Sequence, residues 1–137
     1  MHLHHTDLNQ NESTNWVMQG RLCDEIDGKI QAFPILEWEN EFPKAADINI
    51  HLLEWTLDQE GLYENPLMNP NGQDKIKSLC NKYSISIESV TGDCFMQEPF
   101  WKTNEKNKAK LQNTFLDIVN SCSKLKIKYL VVPLVDN

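Results

Sequence analysis

The last ten residues, "KYLVVPLVDN" (Lys128–Asn137), contain the segment that decides the fold. The run Tyr129–Val132 is aromatic and β-branched, and Pro133 follows it directly. A short continuous apolar run bounded by turn residues is typical of a strand that is buried on both faces, as in a parallel sheet. Parallel strands need a crossover connection, which is usually a helix. The chain is therefore expected to contain earlier strands that alternate with helices.

Three earlier segments have the same strand character, and amphipathic helices separate them. The predicted strands are Trp16–Gly20, Ile48–Trp55 and Ser84–Val90. Apolar residues recur at helical spacing in two long segments, Gln73–Tyr83 and Asn104–Leu125. The sequence therefore predicts strands and helices in alternation along the whole chain.

A shorter helix is predicted before the second strand. Phe42, Ala45 and Ala46 give it an apolar face, and Pro43 is compatible with a helix only if it lies in the first turn. With strand starts taken near Trp16, Ile50, Ile85 and Lys128, successive starts are 34, 35 and 43 residues apart, with one helix in each gap. This spacing is that of right-handed βαβ units. It predicts an α/β chain with a parallel sheet, either open and doubly wound or half of a (β/α)₈ barrel of about 250 residues.

Composition narrows the class of protein further. A net charge of −7 over 137 residues argues against a surface that binds nucleic acid or an anionic membrane. No apolar stretch is long enough to span a membrane, and the N-terminus lacks the features of a signal peptide, so a cytoplasmic location is expected. The four cysteines form no CxxC pair and are expected to be free thiols. Residues 1–14 are expected to be a disordered polar tail, and 15–137 a single domain.

Six motifs occur in an order that is shared with one known family. They are "WVMQGRL", "DGKIQAFP", "EWENEFPKAADINIHLLEWTLD", "NPL", "ISIESVTGDCFMQEPF" and "LVVPLVDN". Together, from about Trp16 to the last residue, they resemble the sugar phosphate isomerase/epimerase family of xylose isomerase-like TIM barrels. The resemblance implies that residues 15–137 are the first half of such a barrel, (βα)₃β, truncated after the fourth strand.

The resemblance also implies a reaction. Members of this family hold a divalent metal (Mn, Mg, Co or Zn) with carboxylates and a histidine on the later strands, and two carboxylates transfer a proton beside the carbonyl of a sugar or sugar phosphate. Those positions have no counterpart in this chain. We therefore expect that the chain binds no metal, has no catalytic residues of its own and is inactive alone.

Candidate substrate-binding residues lie where the strands end, because barrel active sites are built from the loops on that side. The six candidates are Gln19, Arg21, Glu54, Trp55, Asp93 and Phe95. Arg21 could bind a phosphate or carboxylate, or could pair with Asp24, Glu25 or Glu54 and hold the strand ends together. Glu54 beside Trp55 suits the binding of sugar hydroxyls next to an aromatic wall, although a structural ion pair explains Glu54 equally well.

The remaining polar positions have competing interpretations. Asp93, Phe95 and Met96 could flank a substrate with an acidic group and an apolar lid, but Asp93 could also stabilise the turn after Gly92. His51 is expected in the core or facing a helix. Glu88 interrupts the third strand, so it either faces the barrel interior or marks a less buried edge. Asp136 and Asn137 are expected at the rim.

Two alternatives to a sugar enzyme stay open. A half barrel leaves two strand edges unpaired, so the chain could be a non-catalytic module that a second copy or a partner chain completes. The metal-dependent abasic-site endonucleases have a similar barrel, but the acidic balance and the shortage of histidines argue against that activity.

Overall fold

The computed structural model describes residues 15–25, 28, 32–98 and 102–134. The strands are β1 (Trp16–Met18), β2 (Leu52–Thr56), β3 (Ser89–Thr91) and β4 (Tyr129–Val131). The helices are α1 (Trp38–Asp47), α2 (Pro70–Tyr83), α3 (Asp93–Gln97) and α4 (Glu105–Lys124), with 3₁₀ turns at Leu62–Glu64 and Pro66–Met68. The predicted tail of residues 1–14, and Asp136 and Asn137, lie outside the described residues.

The four strands form one parallel sheet in the order β1-β2-β3-β4. Trp16 pairs with Leu52 across the first two strands. Ser89 pairs with Tyr129 across the last two. The prediction of an α/β chain with a parallel sheet is therefore confirmed, and the strands lie side by side in their sequence order.

One face of the sheet carries the hydrophobic core. Leu53 and Trp55 of β2 and Val90 of β3 are at most 1% exposed, and they belong to one cluster with Phe42 of α1 and Ile118 of α4. Full burial of a large apolar side chain contributes about 2 kcal/mol relative to its exposure to water. The helices therefore cover this face because their apolar stripes match its alternate side chains.

The second face of the sheet stays open to solvent within the described ranges. Side chains alternate between the two faces of a strand, so the neighbours of the core residues point this way. Trp16 is 53% exposed, Tyr129 is 63% exposed and Val131 is 45% exposed. We call this surface the open face, and its members are Trp16, Met18, Leu52, Glu54, Thr56, Ser89, Thr91, Tyr129 and Val131, of which Thr56 and Thr91 are themselves buried. Parallel sheets are normally covered on both faces, so this surface is unusual.

The predicted position of Pro43 is wrong. α1 begins at Trp38, so Pro43 is its sixth residue and not part of the first turn. Proline has no N–H, and the Glu39 carbonyl therefore lacks its usual helical donor. Trp38 and Phe42 are 7% and 0% exposed. Their burial against the sheet outweighs the break in the helical hydrogen bonding.

Two strands begin later than predicted because the chain turns sharply before each of them. Ile48 closes α1, and Asn49 takes a left-handed conformation with φ 58°, so β2 begins only at Leu52. Ser84 has φ 53° and ends α2, so β3 begins at Ser89. A non-glycine residue with positive φ interrupts an extended strand.

The start of α2 lies three residues before the predicted one. The Asn69 side chain accepts a hydrogen bond from the Gly72 N–H at 2.7 Å, and Pro70 occupies the first helical position. Both residues are favoured at helix starts. A Cβ atom on Gly72 would lie 2.2 Å from the Pro66 carbonyl oxygen, so the turn and the helix approach each other too closely for any other residue.

Candidate functional site at the carboxyl edge

The four strands end along one side of the sheet, which we call the carboxyl edge. Because all the strands run in the same direction, the residues that follow each strand gather there. The predicted site residues that follow β1, β2 and β3 therefore come to the same side of the sheet. Their burial and partners differ, and those differences decide what each can do.

Gln19 is a buried bridge between β1 and β2. Its side chain is 0% exposed, and its backbone N–H donates to the Glu54 carbonyl oxygen at 2.9 Å. Its side-chain Oε1 accepts from the Thr56 N–H at 3.2 Å. Gln19 therefore joins the ends of two strands and is not exposed to a ligand in solution.

Glu41 is a buried carboxylate that holds the loop after β1. It is 0% exposed, and its Oε2 accepts a hydrogen bond from the Gly20 N–H at 2.8 Å. Burial raises the Glu41 pKa from 4.5 to about 7, although the Gly20 and Leu22 N–H groups and Lys44 partly oppose this rise. The sequence analysis did not identify this residue. The available signal was a glutamate on the apolar face of a helix, one turn from the core residues Trp38 and Ala45.

Three buried polar atoms at this corner have no hydrogen-bond partner within the described part of the chain. They are Gln19 Nε2, Glu41 Oε1 and Thr56 Oγ1. The three side chains lie near one another. The Thr56 N–H donates to Gln19 Oε1, and the N–H of the next residue in the chain, Gly20, donates to Glu41 Oε2. Buried polar atoms without partners are uncommon in folded proteins because each costs about 1–3 kcal/mol. This corner therefore has unused hydrogen-bonding capacity.

Glu54 is the most accessible acidic group on the open face. It is half-buried, and its Oε1 accepts a hydrogen bond from the Thr91 hydroxyl at 2.8 Å. Among the described residues, no protein group donates a hydrogen bond to the second carboxylate oxygen. A carboxylate oriented in this way can accept a hydrogen bond from a sugar hydroxyl.

Trp55 does not form an aromatic wall beside Glu54. The two residues point to opposite faces of β2, and Trp55 is 0% exposed. Its ring centroid lies 5.7 Å from that of Trp38 and 5.5 Å from that of Phe33. The Trp55 indole N–H donates to Asn65 Oδ1 at 2.9 Å. Trp55 is thus a core residue that helps to position the loop after β2.

Asn65 completes this buried network and was also not identified from the sequence. It is 2% exposed, and its Nδ2 donates to the Thr56 carbonyl oxygen at 3.1 Å. Its Oδ1 accepts from the Leu67 N–H at 3.0 Å as well as from Trp55. One amide therefore fixes the loop after β2 to the end of the strand.

Arg21 is exposed and lies along a groove with a volume of about 630 Å³. Asp24, Glu25, Glu37 and Lys44 also line the groove. No described carboxylate lies within ion-pair distance of the Arg21 guanidinium. The alternative in which Arg21 pairs with Asp24, Glu25 or Glu54 is therefore not observed, and its planar group of donors can meet an anion.

Asp93 and Phe95 lie in the one-turn helix α3. Asp93 is its first residue and is 7% exposed, while Phe95 is 1% exposed. The Phe95 ring centroid lies 5.7 Å from that of Phe115 in α4. Phe95 therefore packs beneath α4 and does not form a lid over the carboxyl edge.

A second cavity of about 550 Å³ lies under the loops that follow β1 and β2. Three carboxylates line it, from Asp58, Glu60 and Glu64, and no described lysine or arginine does. Asp58 Oδ2 accepts from the Phe33 N–H at 2.8 Å, and Oδ1 accepts from Gln97 Nε2 at 3.1 Å. An acidic cavity of this kind suits neutral hydroxyl groups better than a phosphate.

His51 and Glu88 lie away from the carboxyl edge. His51 precedes β2, is exposed, and has its Nδ1 3.3 Å from the Ser84 carbonyl oxygen, so the expected core position is wrong. Glu88 is exposed and lies 3.7 Å from the Lys128 ammonium. This position resolves the open choice for Glu88 in favour of a less buried edge.

The metal that the family resemblance implies does not fit the groups present here. The described residues contain no group of three histidine, cysteine or acidic side chains that could hold a metal ion together. Glu54 and Asp58, the acidic residues nearest to strand ends, already accept hydrogen bonds from protein donors. The four cysteines are free thiols, and burial raises the pKa of the Cys94 thiol to about 12.

Comparisons with protein-family models, with curated proteins and with solved structures found no match to this chain. In the portion of the chain that the structure describes, no helix combines the length and the apolar character needed to cross a bilayer.

Proposed function

We propose that this chain is the first half of a β/α barrel of the sugar phosphate isomerase/epimerase family, and that it supplies sugar-binding groups to the active site. The observation that carries the proposal is the parallel sheet in sequential order with helices on one face and an open second face. In a barrel the helices lie outside and the other face of the sheet lines the interior. The open face has the location of such an interior.

The chemistry of the open face supports a carbohydrate ligand. Glu54 and Thr91 place a carboxylate and a hydroxyl together near the carboxyl edge. Apolar side chains from β1 and β4 flank them on the same face. Sugars bind where a few polar groups orient the hydroxyls and apolar surface contacts the ring.

The preference between a sugar and its phosphate ester depends on the charges near Arg21. Arg21 and Lys44 are the cations of the groove next to β1, and three carboxylates share that groove. The cavity under the loops is acidic. We therefore infer that a neutral sugar binds at least as well as its phosphate ester to this half alone.

The proposed chemistry of the complete barrel is metal-assisted proton transfer beside a carbonyl. A metal held by strands other than these four would supply polarisation of that carbonyl. Glu54 and Thr91 orient the sugar, while the ligands and the proton-transferring carboxylates come from strands other than these four. This chain alone is therefore expected to bind a sugar without isomerising it.

Calorimetric titration with an aldohexose, the matching ketohexose and their phosphate esters tests the proposal. Glu54→Gln removes the charged acceptor and is expected to weaken sugar binding by about tenfold. Glu39→Gln is the matched control, because Glu39 is an exposed glutamate of α1 that pairs with Lys75 and does not belong to the open face. Equal affinities of the two variants, or no binding by the original chain, would contradict the proposal.

The second candidate is a non-catalytic half-barrel module that another chain completes. The exposure of Trp16 and Tyr129, which are large aromatic residues on the outer strands, favours it. Binding of a sugar by the chain alone, weakened by Glu54→Gln, would exclude it. The two candidates share the same architecture and differ in whether a sugar binds.

A further inference from the structure

The exposed large apolar side chains are concentrated at the two ends of the sheet. Eleven are exposed among the described residues, and only Tyr63 lies in the middle of the chain. The Tyr63 hydroxyl donates to Asp117 at 2.8 Å, so its exposure has a local explanation. Four belong to the first βα unit, and these are Trp16, Ile35, Leu36 and Ile48. Six belong to the last unit, and these are Phe115, Leu116, Val119, Tyr129, Val131 and Leu134.

The strands at these two ends also have unpaired backbone groups. The Tyr129 N–H donates to the Glu88 carbonyl oxygen, and the Val131 carbonyl oxygen accepts from the Gly92 N–H. Alternate residues of a parallel strand bond to opposite neighbours, so the Leu130 N–H and C=O point away from β3. β1 is likewise at an edge of the sheet, since β2 is its only neighbour among the described strands. Such edges readily pair with another strand.

The two end units carry opposite charge. Within the described residues, 15–50 contain six carboxylates against two cationic side chains. Residues 102–134 contain seven lysines against two carboxylates. Residues 51–98 are also acidic, with eight carboxylates against three lysines, so the cationic excess belongs to the last unit alone. Opposite charge on two surfaces favours their encounter and disfavours pairing of like with like.

From these observations we propose that two copies of this chain associate, with the last βα unit of each copy against the first βα unit of the other. β4 then pairs with β1 of the partner at both junctions. A twofold axis along the strand direction keeps every strand parallel and closes the ring after two copies. The inference rests on the half-barrel architecture proposed above, but not on sugar binding or on the metal chemistry, because a pair of copies contains only these four strands twice.

This arrangement accounts for the open face as well as for the edges. Eight strands enclose an interior just wide enough for side chains to fill it. Trp16, Tyr129 and Val131 would then be buried in that interior. Phe115, Leu116 and Val119 of α4 would pack against α1 of the partner. Apolar burial therefore stabilises the pair, and the opposite charges select which ends meet.

Sedimentation equilibrium of the chain at micromolar concentrations measures the association. The expected mass is twice the 15.9 kDa of one chain, and it falls towards one chain as salt is raised. A mass of one chain at every concentration, or a continuous series of larger species, would overturn the proposal. A one-chain mass would mean that two copies do not cover each other's surfaces. A continuous series would mean that the copies join head to tail and do not close into a ring of two.

Charge reversal tests which ends meet. One variant carries Lys106→Glu and Lys108→Glu in the last unit, and the other carries Glu25→Lys and Glu37→Lys in the first unit. Each alone is expected to dissociate at least about tenfold more readily than the original chain, because most of the attraction between the two units is removed. An equimolar mixture is expected to associate more tightly than either variant alone, since one junction keeps the original charges and the reversed side chains at the other are again of opposite sign.

The matched control reverses two exposed lysines of α2, Lys77→Glu and Lys82→Glu, which lie in the middle of the chain. It changes the net charge as much as the last-unit variant and is expected to leave the dissociation constant unchanged. Equal weakening by the control, or a mixture that stays dissociated, would refute the assignment of the ends. Sugar titration of the same samples reports separately on the proposed function, so failure of one does not imply failure of the other.

Discussion

Glu41 provides the sharpest test of how the carboxyl edge is held together. Its pKa is raised from 4.5 to about 7 because the carboxyl group is buried. The folded protein thus holds this proton more tightly than the unfolded chain does. The resulting stabilisation is complete below pH 4.5, is lost as the pH rises towards 7, and does not change further above that pH.

The size of the change in the free energy of unfolding follows from the rise in the Glu41 pKa. One pKa unit corresponds to about 1.4 kcal/mol, so ionisation of Glu41 is expected to lower the free energy of unfolding by about 3 kcal/mol between pH 4.5 and 7. Glu41→Gln keeps an oxygen that can accept from the Gly20 N–H but has no proton to lose. The variant is therefore expected to be more stable than the original chain at pH 8, by up to about 3 kcal/mol, and similar to it near pH 4.

Urea unfolding monitored by tryptophan fluorescence at the two pH values measures this difference, because Trp38 and Trp55 are buried. Glu60→Gln is the control, since Glu60 is an exposed glutamate and its substitution should change stability by less than about 0.5 kcal/mol at either pH. A Glu41→Gln variant with the same pH dependence as the original chain would refute the reasoning.

Three further predictions concern the neighbouring groups. Asn65→Ala leaves three buried partners unpaired and is expected to lower the free energy of unfolding by about 3 kcal/mol, whereas the exposed Asn81→Ala should have little effect in the same denaturation assay. Gly20 has φ 90°, and a Cβ there would lie 2.5 Å from the Ala32 carbonyl oxygen. Gly20→Ala should therefore cost about 1–3 kcal/mol, and an unchanged melting temperature would exclude this strain. Cys94, with its pKa raised to about 12, should react with an alkylating reagent at pH 8 only as the protein unfolds, which mass spectrometry of the labelled peptides detects.

The existence and direction of the strands could be predicted from the sequence because their signals are local. Apolar, β-branched runs predict strands. A helix between two strands can return the chain to the end of the sheet where the first strand began, so the two strands are expected to be parallel. The boundaries could not be predicted as well. Asn49 and Ser84 turn the chain with positive φ, and nothing in their neighbours requires it. Pro43 was misplaced because its cost is offset by the burial of Trp38, a contact distant in the sequence.

The candidate site depended much more on the fold. Composition and strand ends led to Gln19, Arg21, Glu54 and the other candidates, but not to their surroundings. Successive side chains of a strand point to opposite faces, so Glu54 lies on the open face and Trp55 in the core. A shift of one residue in the strand register would exchange the two positions.

The order of residues by itself determined a chain of alternating strands and helices with polar groups after each strand, because hydrophobic periodicity and turn chemistry act over a few neighbouring positions. Only the tertiary structure decided that Glu41 is a buried acid, that Asn65 holds the loop after β2, and that one face of the sheet remains open. These properties depend on which distant residues exclude water from a group, and no local pattern records that.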